Sequence, residues 1–121
     1  MTLQEMYEKI GNYEEATVRL MNERIIAKFI VKFPEDPTFG QLMEGWEAKD
    51  PEAIFQAAHT LKGVCGNLAL TPLYDLVADL VEHFRGYQER TISISEAVPM
   101  MEAIVEQYKK TVEGIQQYKA L

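Results

Sequence analysis

Cysteine is nearly absent. Cys65 stands alone in 121 residues, which excludes an internal disulfide and any cysteine-built zinc site and suits a reducing compartment. Histidine is scarce as well: there are only His59 and His83. Neither has a His-x-x-x-His or Glu-x-x-His companion, so no metal site is expected. Positive charge is in deficit, with 12 Lys and Arg against 19 Asp and Glu, a net charge of −7. An acidic chain with scattered cations lacks the footprint of a nucleic-acid binder and is repelled by anionic membranes, so a protein partner is expected. Long apolar runs are missing too. The greasiest stretch, Ile25 to Phe33, is interrupted by Lys28 and Lys32, and Met1-Thr2-Leu3-Gln4-Glu5 has neither the basic start nor the apolar core of a signal peptide. These absences point to a cytoplasmic protein. Neither a Gly-x-Gly-x-x-Gly nor a Walker loop occurs, so the chain shows no means of binding ATP.

What is present is a 47% hydrophobic, 26% charged composition, the balance of one globular domain spanning residues 1–121. At this length roughly two thirds of the unfolded surface is buried on folding, enough for a core without staples. Signals for helix starts recur along the chain, each combining a side-chain acceptor for free N–H groups with Pro or Glu in the first turn. They are Asn12 with Glu15, Asp36-Pro37, Asp50-Pro51, Thr71-Pro72, and Ser93 with Glu96. Gly11, the stretch from Pro34 to Pro37, Lys49-Asp50, Leu70-Thr71-Pro72 and Gly86 separate the helices. Strand alternation is lacking apart from Thr91 to Ser95, which is short and runs into a helix signal.

The spacing predicts helices near 3–10, 13–33, 37–49, 51–68, 72–86 and 94–118. Leu73, Leu76, Val77, Leu80, Val81 and Phe84 form one apolar stripe; Val98, Met101, Ile104 or Val105, Tyr108, Val112 and Ile115 form another. The predicted fold class is all-α, an antiparallel four-helix bundle over about 37–118 with one or two additional N-terminal helices, residues 3–33, packed on it. Leu3, Met6, Tyr7 and Ile10 of the first helix are expected to cover the bundle, and Trp46 is expected to pack in or at the edge of the core.

The segment Pro51 to Leu68 carries the chemistry. At about 100° per residue, Ile54, Ala57, Ala58, Leu61, Val64, Cys65 and Leu68 share the core face, and His59 points the other way. Its helical neighbours are Glu52 and Phe55 before it and Lys62, Gly63 and Gly66 after it. A glycine inside a helix costs about 1 kcal/mol relative to alanine. Gly63 and Gly66 leave the imidazole standing clear, so that another protein's backbone can approach it. Alternatively, Gly66-Asn67 simply marks the helix end, which leaves Gly63 as the anomaly. A neutral imidazole is a nucleophile, and phosphorus is a natural target. Lys62, one turn along, would set a point cation beside a transferred phosphoryl group. Cys65 faces the core as a small apolar filler.

The run His59-Thr60-Leu61-Lys62-Gly63-Val64-Cys65-Gly66-Asn67-Leu68 resembles the signature of histidine-containing phosphotransfer (HPt) domains: His, any residue, Leu, Lys, Gly, a few small residues, then Leu and usually Gly. The acidic start before the histidine helix and the Leu-rich partner helix are arranged as in that family, and residues 13 to 118 fit its length and helix order. The resemblance implies a four-helix bundle in which His59 accepts a phosphoryl group from a receiver-domain aspartate and passes it to another. By the motif, His59 is the phosphorylated residue, Lys62 the phosphate-stabilising one and Gly63 the gap that admits the receiver. No cofactor is implied in this chain; Mg²⁺ belongs to the receiver's acidic pocket. The family's usual Gly after the Leu is Ala69 here, which leaves the turn geometry at the helix end open.

Other residues near His59 carry two readings. Phe55 is either a docking anchor or a side chain folded against an N-terminal helix; Gln56 either binds phosphoryl oxygens or, the preferred reading, is merely solvated; Asn67 either reaches phosphate or caps the helix. The expected protein is a monomeric carrier working with receiver domains of response regulators or hybrid kinases, without autokinase activity. A helical-bundle adaptor that uses the same face unphosphorylated is the alternative. A start at Met1 and the lack of a trailing linker favour a free-standing protein over the phosphoacceptor domain of a larger kinase.

Overall fold

The computed structural model describes residues 1–120. Its helices are α1 (Leu3–Ile10), α2 (Tyr13–Leu20), α3 (Glu23–Ile30), α4 (Thr38–Glu47), α5 (Pro51–Asn67), α6 (Thr71–Phe84) and α7 (Val98–Lys119), with 3-10 turns at Phe33–Glu35 and Ser95–Ala97. Among the described residues no strand forms, and no helix is long and apolar enough to cross a membrane.

The capping chemistry works much as the sequence indicates. Asp50 Oδ1 accepts from the N–H groups of Glu52 and Ala53 at 3.1 and 3.4 Å, with Pro51 in the first turn of α5. Asn12 accepts from Glu15 at 3.0 Å, Asp36 from Thr38 at 2.8 Å and Ser93 from Glu96 at 3.2 Å. Three details differ from expectation. Thr71 is itself the first residue of α6, behind Leu70, which makes no side-chain cap. Thr2 and Glu5 form a reciprocal capping box for α1 that the sequence reading passed over. The helix expected over 13–33 is two helices and a 3-10 turn, so three helices rather than one or two precede the bundle. Met21 breaks it with a φ of +74°, and Asn22 restarts it by accepting from Ile25 N–H at 3.0 Å. An asparagine side chain that satisfies free backbone donors competes with continuing the helix. Leu20 and Met21 extend the apolar pattern across this break and so conceal it.

Helices α4, α5, α6 and α7 pack in chain order, with α5 held between α4 and α6 and short turns reversing the chain around it. A Cβ at Gly45 would lie 3.1 Å from Ala53 Cβ and Ile54 N, so glycine there lets α4 close onto the start of α5. Phe39 stacks on Tyr108 with ring centroids 3.7 Å apart, joining α4 to α7. The core face predicted for α5 is the observed one: Ile54, Ala57, Ala58, Leu61, Cys65 and Leu68 are buried, and Val64 half-buried. Leu73, Val77, Leu80, Val81 and Phe84 of α6 face them, with Met101, Ile104 and Ile115 of α7. On α7 the stripe drifts from the predicted one, since Val98 is exposed while Thr111 and Gly114 are buried. Trp46 is half-buried.

Helix α1 lies chiefly on α7 and buries Leu3, Met6, Tyr7 and Ile10, the predicted face. Behind it, the Asn12 N–H donates to the Ala69 carbonyl at 2.9 Å, so the start of α2 is tied to the turn that ends α5. That approach requires Gly11, where a Cβ would collide with the same carbonyl oxygen.

Candidate functional site

Helix α5 turns His59 outward from the middle of its length, where the side chain is exposed. One turn on, the half-buried Lys62 carries its ammonium to 5.9 Å from the centre of the Tyr74 ring of α6. This is within the range at which a cation is attracted to an aromatic face. These residues border a shallow depression of about 260 Å³, completed by Gly63, Gly66, Asn67 and, from α2, Arg19. Thus His59, Lys62, Gly63 and Gly66 of the predicted site come together.

The two glycines of α5 differ in what the fold asks of them. At Gly66 a Cβ would sit 3.2 Å from Tyr74 Cε2, so the missing side chain seats the Tyr74 ring against α5. At Gly63 an added Cβ would meet no other atom within 4 Å among the described residues. Packing inside the chain therefore has no use for glycine at 63, although its helix cost of about 1 kcal/mol is incurred.

Phe55, one turn before His59, is half-buried, and its ring lies 5.9 Å from the imidazole and 5.4 Å from Tyr87. It packs toward the α6–α7 connection, not toward an N-terminal helix. The Arg85 guanidinium stands 5.7 Å from the centre of the Phe55 ring and donates to Glu82 at 2.9 and 3.0 Å. That hydrogen-bonded pairing, then the desolvation-opposed charges of Arg85 and Lys62, holds the Glu82 carboxyl below its usual range. Gln56 is exposed and borders a separate depression between α4 and α5, with Gln41, Glu44 and Thr60. It is not brought together with His59. Asn67 ends α5 on the rim of the His59 depression, and the helix terminates through backbone bonds instead of an asparagine cap.

That termination settles the geometry at Ala69. The Leu70 N–H bonds to Cys65 O at 2.9 Å and the Ala69 N–H to Gly66 O at 3.2 Å, the paired bonds of a Schellman turn. Ala69 occupies its left-handed position with a φ of +53°. The turn forms as a glycine would form it, with alanine bearing the strain.

The second histidine serves the fold. His83 Nε2 lies 2.7 Å from the Ser93 carbonyl; a carbonyl only accepts, so this nitrogen carries the proton. Cys65 is buried, and desolvation, followed by the charge of Asp36, pushes its thiol up to about 12. Among the described residues, no three His, Cys, Asp or Glu side chains group as metal ligands.

Sequence reasoning missed Arg19 and Tyr74. Tyr74 had a faint signal, an aromatic on the helix facing a mid-helix glycine. Arg19 had none, because its place depends on how α2 folds back over α5.

Helix α5 thus presents an outward histidine with a cation one turn along, between α4 and α6 of the bundle. The Hpt domain family model matches residues 2–118 of the chain, and the protein belongs to that family, whose members carry phosphoryl groups on histidine in phosphorelays. No curated protein and no solved structure matches the chain.

Proposed function

We propose that this protein is a phosphorelay intermediate of a two-component system, in which His59 takes a phosphoryl group from the aspartyl phosphate of one receiver domain and delivers it to the aspartate of another. The observation that carries this reading is the pairing of an exposed His59 with Gly63, where an added Cβ would meet nothing within 4 Å among the described residues outside its own helix backbone. A glycine kept at a cost to the helix, beside a nucleophile, clears a path for a second protein.

In the transfer a lone pair of the neutral imidazole attacks phosphorus. A P–N bond forms as the P–O bond to the receiver's aspartate breaks, and the bonding pair leaves with the carboxylate. The imidazolium so formed loses its remaining ring proton to solvent or keeps it until the return step, in which the P–N pair goes back to the ring. The Lys62 ammonium faces the same depression and offsets charge on the phosphoryl oxygens. Phe55, Gly63 and Gly66 lie where the receiver approaches, whereas Gln56 stays solvated on the α4 side. Mg²⁺ and acidic groups belong to the receiver, and the chain itself needs no cofactor or ATP. It works in the cytoplasm as a monomer.

The test is incubation with a phosphorylated receiver and Mg²⁺, followed by intact-mass and acid-lability analysis. Wild type should gain one acid-labile phosphoryl group. His59→Gln should gain none yet remain folded, since the residue faces solvent. Lys62→Ala should transfer more slowly or hold phosphate less well. No label from several receivers, with a folded protein, would favour an unphosphorylated adaptor.

A further inference from the structure

Among the described residues the depression beside His59 is bordered by two cationic side chains and no carboxylate, in a protein whose net charge is −7. Lys62 belongs to the histidine helix, but Arg19 comes from α2, outside the bundle. Helix α2 is held firmly enough to place it. Ala16 is fully buried, and the Asn12 N–H bonds to Ala69 O at the end of α5. Among the described residues Arg19 pairs with Glu15, one turn back, at 3.1 Å and with both side chains nearly half exposed. Such a pair is weak and readily exchanged.

A phosphoryl group on His59 would bring up to two negative charges and three strong acceptor oxygens into this depression. The planar guanidinium can donate two parallel hydrogen bonds to such a group, which an ammonium cannot. We infer that Arg19 is a second phosphate-positioning residue: once His59 is phosphorylated, its guanidinium leaves Glu15 and binds the phosphoryl oxygens opposite Lys62. The inference rests on the carrier reading and deepens it, making the N-terminal helices part of the phosphoryl site. No covalent bond changes in this step. Its effect is to lengthen the life of the P–N bond: a guanidinium against the phosphoryl oxygens opposes protonation of the phosphorylated ring, and it is the protonated imidazole that leaves phosphorus readily in acid.

The experiment loads wild type, Arg19→Ala, Arg19→Lys, Glu15→Gln and Lys62→Ala from a phosphorylated receiver, removes the receiver, and follows loss of the phosphoryl group by intact mass between about pH 5 and 9, bracketing the ordinary range of imidazole protonation. Circular dichroism checks folding. Arg19→Ala should lose phosphate about three- to tenfold faster than wild type near neutral pH, the scale of one charge-assisted hydrogen bond at an exposed site. Its pH profile should move to higher pH. Arg19→Lys should recover part of the lifetime, and Glu15→Gln, which breaks the ion pair but keeps the cation, should match wild type. An Arg19→Ala lifetime equal to wild type overturns the inference and leaves the carrier reading standing, as does an effect that Glu15→Gln shares, which would make Arg19 structural. Failure of wild type to take up phosphate overturns both.

Discussion

The phenolic hydroxyl of Tyr7 donates to the main-chain carbonyl of Leu68 at 2.8 Å, inside the protein and across 61 positions of sequence. Leu68 caps the end of α5, so a side chain of the first helix satisfies a carbonyl left over where the histidine helix stops. Burial pushes the phenol well above its ordinary value, so it remains a donor.

Tyr7→Phe should therefore cost about 1–2 kcal/mol of stability, because it leaves a buried carbonyl without its partner. Urea unfolding checks this. An unchanged midpoint would show that the carbonyl finds another donor.

Both turns flanking α5 place a residue other than glycine in the left-handed region. Ahead of it, Lys49 has a φ of +54°, with its N–H bonded to Trp46 O and that of Asp50 to Gly45 O, both at 3.1 Å. Behind it, Ala69 does the same. Lys49 is exposed and Ala69 is 2% exposed. Lys49→Gly should gain about 1 kcal/mol, whereas Ala69→Gly should gain less, since relief of strain is offset by about 0.8 kcal/mol for the lost buried methyl. Thermal unfolding of the two variants compares them; an equal or larger gain at Ala69 would contradict this account.

Gly63→Ala should separate stability from function. With open space around the new methyl, the helix gains up to about 1 kcal/mol, while phosphotransfer from a receiver slows because the methyl stands where the partner's backbone passes. Gly66→Ala should instead lose stability, since Tyr74 must shift from 3.2 Å. A Gly63→Ala protein with full transfer rates would remove the role assigned to that position.

Alkaline pH should unfold the protein through Cys65. Its thiol ionises at an ordinary value of 9.0 in the unfolded chain but only at about 12 when buried. Between these values the unfolded state binds fewer protons than the native one, so stability falls as pH rises. The contribution is complete below pH 9 and gone above about 12. Between pH 8 and 11 the wild type should lose roughly 3 kcal/mol more than Cys65→Ala, measured by urea titration at each pH. Equal losses would show that the buried thiol is not the group responsible.

Much of this organisation is legible in the residues themselves. The outward His59, the core face from Ile54 to Leu68 and the Asp50-Pro51 start depend on helical period and capping, which act over a few residues. The break at Met21-Asn22 is also local, but there the apolar pattern and the cap preference disagree, and the pattern masks the cap.

Sequence alone determined that the chain is helical, where its long helices begin, and which face of α5 carries an uncommitted histidine beside a lysine and a glycine. Tertiary structure decided what surrounds that face. It seated Tyr74 on Gly66, turned Gln56 toward α4, committed His83 to the Ser93 carbonyl and brought Arg19 to the rim of the His59 depression. Each of these relationships joins separate helices. Helical spacing orders neighbours one turn apart, whereas the meeting of two helices depends on how their faces pack and on the turns between them.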